Sequence, residues 1–375
     1  MAEKQSALHS CYIIDGILQE LTPARMLDEC MVGKREAPES AEGQIIDESV
    51  EPMIVPAIYD DEKVHYYISR ILNSASAPLQ PAFAGFRTRS AIATALIDTL
   101  WYDGRFRLGD LSLRFEWDWN REPLGAMAAF YASAEAASDY TDGLGVKICS
   151  YDYRPAPQCG FSASLAGVRS IEDEDDLVGA LPYHIANPAA PLRRRYEERL
   201  LPDEKSWIMF IPMETCGFRL GGSRFCEAMG TCPETAPELR DCDYFNDCYE
   251  LLRELSEDGI ILSGTTVGEG GLATALKRMT RDCGAEIDLS QLKEAYEGSG
   301  LTRLLFSEVP GVLIQVEDID YDYIDAEMLL QDVVYFPLGH PVPGSRELIF
   351  SSSPRSGIHS ILESLIRSQS SEGED

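Results

Sequence analysis

Residues 258–289, DGIILSGTTVGEGGLATALKRMTRDCGAEIDL, admit few backbone paths. The apolar run Ile260-Ile261-Leu262 has strand character, and Thr265-Thr266-Val267-Gly268-Glu269-Gly270-Gly271 follows as a glycine-rich turn. Leu272, Ala275, Leu276 and Met279 then recur at spacings of three and four, which predicts an amphipathic helix. Cys283-Gly284 closes that helix, because glycine is the residue favoured just past a helix end. Ala285 to Leu289 forms a short second strand. The unit is strand, turn, helix, strand. Its glycines let backbone approach a ligand, and the helix start offers free N–H groups to an anion. The spacing fits equally well a tight turn that binds nothing.

Three further stretches share an order with this one. Leu220-Gly221-Gly222-Ser223 is a second glycine turn, Leu305-Phe306-Ser307-Glu308 is followed by Pro310-Gly311, and Leu111-Ser112-Leu113 leads to Trp117, Trp119 and then Ala134-Glu135-Ala136. Together they resemble, in sequence order, motifs of the formylglycinamide ribonucleotide amidotransferases (FGAM synthases). That family writes the central loop as H-D-x-S-D-G-G-L before a helix and an E-I-D-L strand. The resemblance covers roughly residues 50–350 and corresponds to the C-terminal pair of domains in the large form of that synthase, a pair that itself resembles AIR synthase.

Composition narrows the function classes. A chain of 375 residues, 45% hydrophobic, can bury cores for two domains. A net charge of -31 argues against general binding to nucleic acid or anionic membrane. The chain has no apolar run of about eighteen residues, and its start lacks the basic and long apolar segments of a secretory signal, so a cytoplasmic location is expected. Its ten cysteines contain no C-x-x-C, although Cys226, Cys232, Cys242 and Cys248 fall in one region, and its five histidines lie outside zinc-finger spacing. Free thiols are the expectation.

Periodicity supplies the remaining elements. Ile13, Ile14, Ile17, Leu18 and Leu21 are read as one face of a short helix, and residues 34–43 as a loop. PMIVPAIY, residues 52–59, reads as a buried strand. Residues 88–100 form a helix with Ile92, Ala95, Leu96 and Thr99 on one side. The alternation of residues 111–119 puts Leu111, Leu113, Phe115, Trp117 and Trp119 on one face, expected to be core or, in an isolated domain, an exposed oligomer interface. A helix at 125–142 and a strand at 145–153 follow, then an acidic loop at 172–176 and a basic cluster, Arg193-Arg194-Arg195, assigned to a helix surface. Beyond these come a strand at 207–213, helices at 244–255 and 326–331, and a strand at 311–316. A turn at 336–344 holds His340 in a structural role, and a last helix at 358–366 precedes a disordered tail.

The resemblance implies an α+β, two-domain AIR synthase-like fold of mainly antiparallel sheets with helices packed on one face. An extension at 1–45 would precede a first domain at 46–170 and a second at 171–365, with the tail at 366–375. The resemblance also implies sites: Gly221, Gly222, Ser223, Gly270 and Gly271 as nucleotide-facing turns, with Asp98 and Glu269 as the surviving metal positions. Several family ligands are replaced. Pro52 stands where the family has a magnesium-holding aspartate, Thr94 where it has a glutamate, Thr265, Thr266 and Gly268 where it has histidine, aspartate and serine, and Ser150-Tyr151-Asp152-Tyr153 where it has a G-K-D-S turn with a phosphate-facing lysine. No glutaminase signature accompanies Cys216.

The reading is therefore a noncatalytic half or subunit of a purine-biosynthetic, ATP- and glutamine-dependent ligase, a pseudoenzyme. It would act as a homodimer or with a hetero-partner carrying the catalytic half and the glutaminase, with no catalytic residues of its own. No cofactor is expected on the chain alone; ATP or ADP with magnesium would enter only if the auxiliary site survives. The alternatives are a self-sufficient ATP-dependent homodimer of AIR synthase type and a scaffold repurposed to bind protein.

Overall fold

The computed structural model describes residues 7–33, 43–75, 78–103, 107–168, 184–185 and 193–351. The 172–176 loop, the 358–366 helix, the tail and all of the 34–43 loop except Gly43 lie outside the described residues.

The expected N-terminal helix is instead a hairpin of β1 (Cys11–Ile14) and β2 (Ile17–Leu18). Asp15-Gly16 forms its two-residue turn, both at positive φ (53° and 78°), the geometry of a tight antiparallel hairpin. That Asp-Gly pair is a stronger local signal than the isoleucine spacing. After α1 (Pro23–Glu29), β3 (Gln44–Asp47) pairs parallel to β1. Asp47 at its end accepts from the N–H groups of Gly125 (3.0 Å), Met127 (2.8 Å) and Ala128 (3.1 Å), and so caps a helix about eighty residues away.

Residues 52–59 do not form the expected buried strand. Pro52 and Pro56 remove two backbone donors, the Val55 N–H goes to the Cys232 carbonyl, and Met53 and Ile58 are almost wholly exposed. Helix α2 (Val64–Asn73) follows, and its buried Val64, Tyr67, Ile68 and Ile71 pack into the core of the second sheet.

Helix α3 (Ala84–Ile97) continues as a 3₁₀ turn through Trp101. Strand β4 (Leu111–Trp119) leads to α4 (Ala126–Gly143), β5 (Lys147–Pro155), β6 (Gly160–Val168) and β7 (His184–Ile185). The sheet order is β5-β4-β6-β7, with only β4 and β5 parallel. All five apolar residues of β4 are fully buried. Helix α4 covers them: the Trp117 indole donates to Ser133 Oγ (2.8 Å), the Trp119 indole to the Ala126 carbonyl (2.7 Å), and both rings meet Phe130 edge-on. The expected exposed apolar face is thus absent, because the chain's own helix occupies it. The opposite face carries Arg154 paired with Glu116 and Asp118.

The second sheet is built from β8 (Trp207–Pro212), then α5 (Arg224–Met229), α6 (Cys242–Glu257), β9 (Ile261–Val267), α7 (Gly271–Met279), β10 (Gly284–Asp288), α8 (Ser290–Ala295), α9 (Leu301–Phe306), β11 (Gly311–Val316), α10 (Tyr321–Leu330), β12 (Phe336–Val342) and β13 (Leu348–Ser351). Six strands run β13-β10-β12-β8-β11-β9, antiparallel except for β10 with β13. Both faces are buried. Ile208, Phe210 and Leu313 face α7 and α9, while Met209, Ile211, Val312 and Ile314 join the α6 side and the first sheet's core.

Strand β12 replaces the expected turn at 336–344. Its two prolines are tolerated because the register shifts between Pro337 and Gly339, and Gly339 (φ 144°) has no side chain to strike the Glu286 carbonyl. His340 on this strand has Nδ1 2.9 Å from the Ser206 carbonyl and stacks near Trp207. Among the described residues no helix is long and apolar enough to cross a membrane.

Candidate functional site

The two glycine turns lie side by side, joined by a carboxylate. Strand β9 runs through Thr265, Thr266 and Val267, so these residues belong to the sheet and the turn proper is Gly268 to Gly270. Gly270 begins α7 and Ser223 begins α5. Between the two helix starts sits Glu308, delivered by the chain leaving α9 and 1% exposed. Its Oε1 accepts from the Gly270 N–H and the Arg224 N–H, each at 2.7 Å, and its Oε2 accepts from Arg87 Nη1 at 2.7 Å. Arg87 comes from α3 and also bonds Glu269 at 2.8 Å. Burial outweighs these partners and pushes the Glu308 carboxyl up to about 6.

The glycines are required by the protein's own packing. A Cβ on Gly221 would lie 2.3 Å from the Thr235 backbone, and one on Gly271 would lie 2.6 Å from the Ser307 carbonyl. The Gly271 N–H is already given to Gly268, and the Gly221 N–H to Thr235. Gly222 (φ 70°) rests against Phe83. Ser223 Oγ donates to the Leu220 carbonyl (2.5 Å) and accepts from the Cys226 N–H (3.4 Å).

Asp98 and Glu269 line one cleft of about 410 Å³, together with Thr94, Arg194, Glu198 and Arg278. Asp98 Oδ1 accepts from Thr266 Oγ1 at 2.5 Å, and Thr266 in turn accepts from the Trp101 indole at 2.8 Å. Burial raises the Asp98 carboxyl above its ordinary range, opposed by Thr266 and by the charges of Arg194 and Arg278. The other charges are matched internally. Glu198 accepts from Thr265 Oγ1 (3.0 Å) and lies 3.6 Å from Arg278, Arg278 also donates to the Thr266 carbonyl (3.2 Å), and Arg194 donates to the Tyr196 carbonyl (2.8 Å). A second cleft of about 280 Å³ continues along α3 past Arg87, Ser90 and Ala91 to Cys159 and Phe161.

The sequence therefore names residues that do come together, but each is engaged within the chain. Magnesium takes several oxygen ligands. Here Asp98 is held by Thr266, Glu269 by Arg87, and Thr94 Oγ1 by the Ser90 carbonyl (2.9 Å). Among the described residues no group of three or more His, Cys, Asp or Glu is arranged to hold a metal. The two carboxylates of the cleft, Asp98 and Glu269, are thus each hydrogen-bonded within the chain.

Sequence reasoning assigned no role to Arg87, Glu198 or Arg278, cited Glu308 only within a motif, and put Arg194 on a helix surface in preference to a phosphate or carboxylate grip. Glu308 carried a readable signal: a carboxylate inside the apolar run LLFSEVP is buried, and a buried charge needs a partner. Which cation supplies it is a tertiary matter. The Arg193–Arg195 cluster is irregular chain, with Arg194 bridged to Tyr102. It is not a helix surface, because Trp101 takes the Arg195 N–H and draws the segment against the cleft.

Residues 217–318 match the family model described as AIR synthase related protein, C-terminal domain. Human phosphoribosylformylglycinamidine synthase is 24% identical over 121 residues, 32% of this chain and 9% of that protein. The major tegument protein of Epstein-Barr virus (strain GD1) is 23% identical over 193 residues, 51% of this chain and 13% of that protein. The matched stretches are thus about a tenth of those relatives' length. Among solved structures, T. maritima PurL complexed with FGAR aligns over 74% of this chain and 40% of its own, at 13% identity and a TM-score of 0.47. E. coli HypE, a hydrogenase maturation protein, aligns over 70% of this chain and 75% of its own, at 16% identity and a TM-score of 0.45.

Proposed function

We propose, from the premise that residues 217–318 are an AIR synthase related C-terminal domain, that this chain is a noncatalytic, architectural member of an FGAM synthase-like assembly. One observation carries the reading. The carboxylate of Glu308 occupies the Gly270 and Arg224 N–H groups and the Arg87 guanidinium, the donors that the two glycine turns would otherwise offer a phosphate. Displacing it means unpairing a buried charge, a cost of several kcal/mol per ion. The lost lysine and aspartates described above remove the charge-assisted contacts that would compensate.

In this reading the chain works beside a partner that carries the catalytic half and the glutaminase, or as a homodimer, in the cytoplasm. Titration calorimetry with ATP or ADP and magnesium tests it. No saturable heat is expected, and the Asp98→Ala and Glu269→Ala variants should behave as wild type. Micromolar binding that either variant abolishes would sink the reading and favour the self-sufficient enzyme. Copurification with a synthase lacking this half would support the subunit role.

A second reading is a scaffold repurposed for protein binding. It is favoured by the relative matched over the larger share of this chain, which is named a tegument protein and not a synthase. It differs from the first in predicting normal purine synthesis when the gene is removed.

A further inference from the structure

Helix α10 is apolar on two sides. Ile324 and Met328 point into the core beneath the second sheet. On the outside, Leu329 is 80% exposed and Leu330 79%, with Tyr323 exposed beside them and Ile319, in the turn just before the helix, at 82%. Tyr323 and Leu330 are seven residues apart and share a face, with Ile319 one turn earlier. Single exposed leucines need no explanation, but a cluster of this kind marks an interaction surface.

The frame around the cluster is uniformly acidic. Residues 317–332 contain seven carboxylates and no Lys or Arg. Asp318 accepts from the Trp207 indole and Asp325 from the Tyr335 hydroxyl, but none of the seven is ion-paired among the described residues. Helix α6 adds to the frame: partial desolvation, and then the charges of Glu327, Asp258 and Glu254, push the Tyr323 phenol up. Apolar side chains set among unpaired carboxylates select against anionic surfaces. They also select against a second copy of this chain, which would bring the same carboxylates face to face.

We infer that the outer face of α10, centred on Tyr323, Leu329 and Leu330, docks a basic amphipathic segment of another protein. Its apolar side chains would cover the leucines while its lysines or arginines pair with the surrounding carboxylates. The inference does not depend on the noncatalytic reading, since a positive ATP titration would leave it untouched.

The test uses the full chain and a fluorescein-labelled synthetic peptide of leucine and lysine patterned as an amphipathic helix. A control peptide has the same lysines with glycine and serine in place of leucine. Fluorescence anisotropy should show the amphipathic peptide binding more tightly than the control. The exposed pair Leu329→Ser/Leu330→Ser should weaken it by roughly tenfold or more, leave the control unchanged, and leave circular dichroism and melting unchanged. Equal binding of both peptides, or no effect of the double variant, would reduce the result to the general field of an acidic protein and overturn the proposal. So would light scattering that finds a wild-type dimer which the double variant dissociates, since a second copy would then be the occupant.

Discussion

Arg87 on α3 and Glu308 after α9 are 221 residues apart in sequence and 2.7 Å apart in space. Their contact ties the first sheet's helix layer to both glycine turns of the second. Replacing Arg87 with Met should strand the buried Glu308 and cost about 3–5 kcal/mol in urea unfolding. The double variant Arg87→Met/Glu308→Gln should cost less than the two single changes added together, because the uncompensated charge is gone. Simple additivity would show that the pair does not couple.

The same carboxyl sets a pH dependence. Glu308 is raised from the ordinary 4.5 to about 6, chiefly by burial. The folded chain then holds this proton more tightly than the unfolded chain does. The contribution of this group to stability is complete below about 4.5 and is lost as pH climbs through about 6. Wild-type unfolding free energy should therefore decline across that window relative to Glu308→Gln, and the two curves should run parallel above it. A difference that grows in the opposite direction would contradict the assignment.

Gly264 on β9 lies under the Trp101 ring, and a Cβ there would come within 2.2 Å of Trp101 Cζ3. Gly264→Ala should overpack this contact and cost about 1–3 kcal/mol. Because Trp101 is buried, a change in its emission should accompany the lower melting temperature. Unaltered emission together with unaltered stability would mean that the ring has room to move.

Thr266 links the Trp101 indole to Asp98. Thr266→Val keeps the shape but leaves the buried Trp101 N–H and the Asp98 carboxylate without this partner, at a cost of about 1–3 kcal/mol. Thr266→Ser retains the hydroxyl and should recover most of the loss. Equal losses for Val and Ser would point to packing, not hydrogen bonding.

Asp47 caps α4 from a distant strand through three N–H groups. Asp47→Ala should lower stability by about 1–2 kcal/mol, and Asp47→Asn, which can still accept, by less. Guanidinium unfolding of the three proteins separates these outcomes.

Local pattern by itself determined the elements whose periodicity was unbroken. The helix after Gly271, the alternating strand from Leu111 to Trp119 and the strand from Gly311 to Val316 all stand where their spacing put them. The order of the glycine turns likewise carried the resemblance that implied an α+β chain, and residues 217–318 match the AIR synthase related C-terminal model. Local pattern misled where a turn or a partner outranked it. Asp15-Gly16 made a hairpin of an apparent helix, and an irregular register let prolines sit in β12. Tertiary structure alone decided two matters. Helix α4 covers the apolar face of β4, and Glu308, Thr266 and Arg87 take up the groups that sequence offered to a ligand. The physical reason is that periodicity reports which side of an element is apolar, whereas a hydrogen bond or ion pair depends on atoms brought within about 3 Å from distant parts of the chain, and no local pattern records that distance.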